Sequence, residues 1–216
     1  MCALPNLLIY GAGGHSKTII DLLRSLGNYQ LVGIVDDGVP AGTQVLGVPV
    51  LGGAEQLPHL FAQGVQQAVN AVGGIGNVDV RLRVFERLQT AGFSFPTLIH
   101  PSAVIEPTVT LEEGVQVLAL SYISSDSHIG FGTLINAGCI VSHDARLGRV
   151  VNLSPGVRLA GRVTVEDEAQ LGMGVTVNLD LTIGRRARVG NGATVKANVP
   201  AGGVVWAGTI WPMRPS

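Results

Sequence analysis

The chain has 216 residues, with 14 Lys and Arg against 15 Asp and Glu and a formal net charge of −1. Only 13% of residues are charged, about half the usual share of roughly 25%, and mean hydropathy is +0.39. No run approaches the ~18 uninterrupted apolar residues of a spanning helix, so the apolar residues must be spread evenly, as in a regular β architecture. The neutral balance argues against nucleic acid or an anionic membrane surface as the main partner. No basic segment precedes the short apolar run at the start, which argues against a secretory leader and for the cytoplasm. Two cysteines, Cys2 and Cys139, do not make a disulfide framework.

In chain order, residues 7–10 read as a strand, 11–14 as a glycine turn and 15–26 as a helix. Ile19, Ile20, Leu22, Leu23 and Leu26 keep helical spacing and Gly27 ends the run. A strand over 31–35 closes on Asp36-Asp37-Gly38. A strand at 45–50, a helix near 55–63, a strand at 67–72 and a helix near 79–90 follow. Strands alternating with helices predict a small parallel α/β domain over residues 1–97, half of a Rossmann-like sheet.

The turn Gly11-Ala12-Gly13-Gly14-His15-Ser16 matches G-x-G-x-x-G only in part. Its residues leave two readings open. One is a tight turn that needs positive φ. The other is an anion site, where backbone N–H groups and a helix dipole converge on a phosphate. Asp36 follows Gly11 by 25 positions, where a ribose-binding acid sits in dinucleotide folds. The domain is too short for two mononucleotide-binding halves, so a nucleotide-sugar suits it better than NAD.

From Ile99 to Val195 every sixth residue is Ile, Leu or Val, seventeen in succession. Four residues after each stands a small or aliphatic residue, from Ala103 to Val199, and the residue after the aliphatic is glycine at 130, 148, 172, 184 and 190. This is the hexapeptide repeat of a parallel β-helix, with inward aliphatics stacking from coil to coil and small residues at the corners. It predicts a second domain over 98–216, of just under six coils, with a C-terminal cap.

Ionisable residues are scarce in the repeat. His143 and Asp144 fall outside the aliphatic positions and should project outward. An imidazole beside a carboxylate is the pairing a general base needs, since the acid holds one ring nitrogen protonated; a solvated surface histidine is the other reading. His59, His100 and His128 read as solvated surface histidines, and His128, two residues after Asp126, matches no motif. No close pair of histidines lies in the repeat, so no metal is expected. Cys139 occupies an inward position and reads as packing.

Gly11-Ala12-Gly13-Gly14-His15, Val35-Asp36-Asp37, Leu98-Ile99-His100-Pro101, Asn136 with His143, and Asn198-Val199-Pro200-Ala201-Gly202 occur in the order and spacing of one family. In these motifs the chain resembles the sialic-acid O-acetyltransferase family, which includes N-acetyltransferases of nucleotide-linked 4-amino-sugars. The resemblance implies a left-handed β-helix and acetyl-CoA as co-substrate. It also implies a homotrimer with each site between two subunits. It makes His143 the base and Asp144 its partner, and puts Asn136 in the cleft. Gly161 would donate its amide to the acetyl oxygen. Asn152 stands where the family has a second histidine touching acetyl-CoA. Met173 and Asn191 would line the pantetheine arm. Gly13, Gly14, His15, Asp36, Asp37 and Gly73 would hold the nucleotide-sugar. The expected reaction is acetyl transfer to a sugar amine, in preference to a hydroxyl, without a covalent acyl-enzyme. The alternative is a noncatalytic nucleotide-sugar scaffold or sensor. CoA phosphates would rely on Arg185, Arg186, Arg188 or Lys196, and the tail tryptophans, Trp206 and Trp211, would either cover the CoA end or plug the core.

Overall fold

The computed structural model describes residues 4–76 and 78–212, so Cys2 lies outside it. The chain divides into two compact units. The first runs to Gly73 and resumes up to Pro96; the second runs from Thr97 and also takes in Gly74–Gly76. The sequence reading leaves those three glycine-rich residues in the first domain.

In the first unit, β1 (Asn6–Tyr10) is the centre of a sheet with β2 (Gln30–Val35) on one side and β5 (Gln67–Asn70) on the other, both parallel to it. β4 (Val48–Gly52) extends the sheet beyond β2, and β3 (Gln44–Val45) closes it antiparallel. The strand expected over 45–50 is therefore two strands. Leu46 and Gly47 both take positive φ, 48° and 80°, and reverse the chain between them. Helix α1 (Gly14–Leu26) buries Ile19, Ile20, Leu22 and Leu23 and ends at Gly27, left-handed at φ 63°, whose N–H reaches the Leu23 carbonyl. The segment expected as one helix over 55–63 begins with a 3-10 turn, Ala54–Gln56, and continues as α2 (Leu57–Ala62). Helix α3 (Val78–Thr90) buries Val84, Phe85 and Leu88, and also Arg81. That guanidinium donates to the Val72 carbonyl at 2.5 Å.

The second unit is a parallel β-helix. All seventeen aliphatic positions end a two-residue strand, from Leu98–Ile99 to Thr194–Val195. Strands pair with those 18 residues on, as Tyr122 with Ile140 and Asn152 with Gln170, giving three parallel sheets around one core. The aliphatics from Val117 to Val195 are buried, and Ile99, Ile105 and Leu111 are partly buried at the first end. Polar residues in the inward columns are satisfied from the neighbouring strands and corners. The Ser121, Ser127 and Thr133 hydroxyls donate to the carbonyls of Asn136, Ser142 and Gly148.

From Leu111 to Val189 each corner turns at its third residue after the aliphatic, which takes positive φ whether it is Gly138, Gly156 and Gly174 or Asp126, Asp144 and Arg162. Glycines directly after the aliphatic answer a different need. A Cβ on Gly130 would stand 2.6 Å from the Gly148 carbonyl carbon of the next coil, closer than packed atoms approach.

The final coil is shorter. Arg188 pairs with Val204 and Thr194 with Ile210, 16 residues on instead of 18. Val199 is buried as expected, but it bridges Ile183 and so takes an aliphatic strand position rather than a corner. Trp211 packs against the core and donates its indole N–H to the Asn198 carbonyl at 3.0 Å, while Trp206 is 65% exposed. Trp211 thus plugs the core and Trp206 does not.

Candidate active site

In the first unit the sheet order changes direction at β1, and ligands of open α/β sheets bind at the carboxyl ends of strands flanking such a point. Gly13, Gly14 and His15 follow β1, Asp36 and Asp37 follow β2, and Gly73 follows β5. Five strands are enough to bring all six to one end of the sheet. Only Gly11 answers to the tight-turn reading: φ is 111° and a Cβ there would lie 3.1 Å from the Ala71 carbonyl carbon. Gly13 has φ −76°, and a Cβ on Gly13 or Gly14 would meet nothing within 4 Å. Neither the backbone nor the packing of the unit requires glycine there, so open space above the helix N-terminus is what they provide.

Asp36 and Asp37 shape this end. Asp36 accepts from the Ala12 N–H at 2.7 Å with one oxygen and from the Gly38 and Val39 N–H groups at 2.8 and 3.0 Å with the other. Its carboxylate ties the glycine turn to the loop after β2. Asp37 accepts from the Ala54 N–H and the Tyr10 hydroxyl, both at 2.9 Å, and pairs with Arg87. Partial burial raises its pKa, but those hydrogen bonds and the guanidinium outweigh it and hold the carboxyl below the usual range. Sequence reasoning missed Tyr10 and Arg87. Arg87 lies in the last turn of α3, 50 positions from Asp37, and no spacing signals the contact.

In the second unit His143 and Asp144 share a corner with Gly161, which occupies the equivalent place one coil on. The left-handed conformation of Asp144, φ 58°, sets its carboxylate against the preceding ring, and His143 Nδ1 lies 2.7 Å from Asp144 Oδ2. A carboxylate can only accept, so this contact favours the proton on Nδ1 and, in the neutral ring, leaves the Nε2 lone pair pointing away from Asp144. Both side chains are about half exposed, 51% and 53%. Gly161 lies under the ring: a Cβ there would be 2.6 Å from His143 Cε1 and 2.7 Å from Nε2. At four other corners the amide in this place is taken by a side chain of the neighbouring coil: Phe131 by Glu112, Arg149 by Asp167, Met173 by Asn191 and Arg185 by Glu166. Among the described residues the Gly161 N–H has no acceptor. A basic nitrogen and an open amide thus stand side by side, as acyl transfer requires.

Asn136, Met173 and Asn191 lie on another corner of the same prism, and Asn152 on the sheet beside it. One chain does not bring these four to His143. Asn136 spends its amide N–H on the Leu153 carbonyl at 3.1 Å. Asn152 is buried, donates to Ser154 Oγ, and leaves its Oδ1 without a partner beneath Gly74. Burial pushes the Cys139 thiol up to about 11, so it stays protonated and packs. Among the described residues no group of three His, Cys, Asp or Glu could hold a metal, and no helix is long and apolar enough to cross a membrane.

Residues 6–88 match the family described as PglD N-terminal domain. Perosamine N-acetyltransferase from Caulobacter crescentus, solved as a histidine-to-asparagine mutant in complex with CoA and GDP-perosamine, is 39% identical. The match covers 94% of each chain, with a TM-score of 0.88. The acetyltransferase domain of PglB from Neisseria gonorrhoeae FA1090, in complex with acetyl coenzyme A, is 30% identical over 98% of this chain and 100% of that one, with a TM-score of 0.87. UDP-N-acetylbacillosamine N-acetyltransferase of Bacillus subtilis (strain 168) is 31% identical over 126 residues, 54% of this chain and about half, 52%, of the relative's length.

The architecture is that of an α/β domain followed by a left-handed parallel β-helix, the acetyltransferase trunk of the PglB and perosamine enzymes. The chain belongs to the nucleotide-linked amino-sugar N-acetyltransferase family.

Proposed function

We propose that the protein transfers an acetyl group from acetyl-CoA to the amine of a nucleotide-linked sugar. The observation that carries this reading is the corner where His143, oriented by Asp144, stands over the open amide of Gly161. Nε2 of His143 takes the proton from the attacking amine while Asp144 steadies the ring as it becomes charged. The acetyl carbonyl oxygen gathers negative charge as the amine adds, and the Gly161 N–H receives it. As the oxyanion collapses the C–S bond breaks, and the protonated His143 ring gives its proton to the departing sulfur, so that CoA leaves as the thiol. Transfer is direct, without an acyl-enzyme: Cys139, the one cysteine among the described residues, is buried and protonated. The bound CoA and GDP-perosamine of the perosamine relative, and the histidine substituted in it, support the same assignment.

The division of labour follows the two units. Gly13, Gly14, His15, Asp36, Asp37 and Gly73 hold the nucleotide-sugar, and the β-helix holds acetyl-CoA along Met173 and Asn191. Asn136, Met173 and Asn191 stand on a different corner from His143, and a homotrimer with the site between neighbouring helices would bring the corner of one subunit to that of the next. A sugar hydroxyl is the second choice of acceptor. The near-neutral charge and reduced cysteine suit a cytoplasmic enzyme of activated-sugar metabolism.

The test is release of free CoA thiol against a panel of UDP-, GDP- and dTDP-linked 4-amino-sugars. Release that needs one of these sugars and His143 supports the reading. A protein that binds the sugar but releases no thiol above background is a scaffold instead.

A further inference from the structure

The residues that turn the corner at His143 form a column that runs from coil to coil. Asp126, Asp144, Arg162 and Asp180 follow one another at the 18-residue period, each left-handed with φ between 57° and 61°. The backbone locks this stack. The Asp144 N–H donates to the Ser125 carbonyl at 3.0 Å, the Arg162 N–H to the His143 carbonyl at 2.9 Å and the Asp180 N–H to the Gly161 carbonyl at 3.2 Å. Neighbouring strands of a sheet lie about 4.8 Å apart, so Arg162 stands one such step from a carboxylate on either side. Only side-chain torsions decide which of the two it takes.

Arg162 takes Asp180. Its Nε lies 2.5 Å from Asp180 Oδ1 and its Nη2 2.9 Å from Oδ2, a forked pair that occupies both carboxylate oxygens. The hydrogen bond to Asp180 is the first cause that favours the charged guanidinium; Asp144 acts on it last, through space. Asp144 keeps its Oδ2 for His143 Nδ1. The other outward charges beside the corner are Arg146 and Arg158, on the strands that leave and enter it, and His128, which pairs with Glu112. Among the described residues none of these three bonds to Asp144 or Asp180.

A guanidinium released from Asp180 has Asp144 as its next carboxylate. There it would offset the negative charge that makes the imidazole more basic and compete for the oxygen that orients the ring. We infer that Asp180 is a positioning residue for the base: it holds Arg162 off Asp144, so that the Asp144 carboxylate serves His143 alone. This rests on the general-base reading above and extends the catalytic corner to a pair that touches neither reacting group.

The full chain tests it in Asp180→Ala, which releases Arg162, and in Asp180→Ala with Arg162→Gln, which removes the competitor as well. Histidine imidazole NMR follows the His143 ring without substrate, its signals assigned by their loss in His143→Ala. In Asp180→Ala the ring should charge at a pH lower by about half a unit, the scale of one exposed charge pair. Thiol release with whichever sugar of the panel supports it should fall about fivefold in kcat, with KM for acetyl-CoA unchanged. The double variant should return both readings toward wild type. A wild-type ring titration in Asp180→Ala overturns the assignment. So does a double variant no closer to wild type than Asp180→Ala, because a pair that only staples the corner gains nothing from losing its second member. A shifted ring in a protein that releases no thiol with any sugar of the panel supports the role of Asp180 and overturns the acetyltransferase reading. Thiol release that depends on His143, with no shift of the ring, overturns this assignment alone.

Discussion

The imidazole of His143 lies directly over Gly161, so that a Cβ on the glycine would sit 2.6 Å from the ring. Gly161 has no positive φ to defend; what it defends is the position of the base. Gly161→Ala must push the ring off its Asp144 contact or leave a methyl where the acetyl group sits. Displacements near 1 Å cost about a hundredfold in rate. Steady-state kinetics should show kcat down by about that factor with circular dichroism unchanged. Wild-type turnover in this variant would mean the ring is not the reacting group.

His143→Ala removes the base itself, worth typically 10² to 10⁴ in rate. Asp144→Asn keeps a hydrogen-bonding side chain at the left-handed corner and should lose less. Single-turnover acetyl transfer measures both, and equal losses would mean that Asp144 does more than orient the ring.

Gly13→Val separates structure from binding in the first unit. With φ −76° and nothing within 4 Å of the added atoms' root, the variant should melt within a few degrees of wild type. It should nonetheless bind the nucleotide-sugar at least tenfold more weakly, because the side chain fills the space above the helix N-terminus. Asp36→Ala should lose both, since its carboxylate holds the Ala12, Gly38 and Val39 amides. Calorimetry beside thermal melts distinguishes the two patterns, and CoA affinity should be untouched in each.

Glu168 gives the trunk an acid limit. Burial raises its pKa, but Arg186 and Arg185 outweigh that and hold the carboxyl below its usual range. A carboxyl depressed in the folded state stabilises fully above its unfolded value, about 4.3. It gives that stability up as pH falls through the lower folded value. The gap in melting temperature between wild type and Glu168→Gln should therefore be widest near neutrality and shrink below about pH 4. A gap that stays constant down to pH 3 would show that the pair contributes nothing through charge.

Leu153 is fully buried in the aliphatic column, and Leu153→Ala should cost about 2–5 kcal/mol. Denaturant unfolding followed by far-ultraviolet circular dichroism reads it directly.

The repeat was legible because burial repeats with it: a strand position that faces the core once per six residues leaves an aliphatic in every frame from Ile99 to Val195. The end of the repeat was not legible. A coil shortened by two residues still offers Val199 and Val205 to the core, so the apolar pattern runs on while the register slips. The glycine turn was visible, but not which glycine answers to the backbone and which to empty space. That depends on Ala71, 60 positions from Gly11. The contact of His143 with Asp144 was legible because the two are neighbours in sequence, whereas the Arg87–Asp37–Tyr10 cluster joins three elements and leaves no spacing to find. The reversal at Leu46 was hidden because leucine rarely adopts positive φ.

The 16-residue last coil has a consequence for solution behaviour. A β-helix cut at a full coil would present three unpaired strand edges in perfect register with the start of another copy, a template for end-to-end fibre growth. The two missing residues fall in a single corner, between Val195 and Val199, and the strand positions beyond it, Val199, Val205 and Trp211, keep their six-residue spacing, so what changes at the end is Trp211, packed where the column elsewhere carries an aliphatic. A second copy docked on this end would meet an indole in place of the Ile, Leu or Val that every other strand of that column offers.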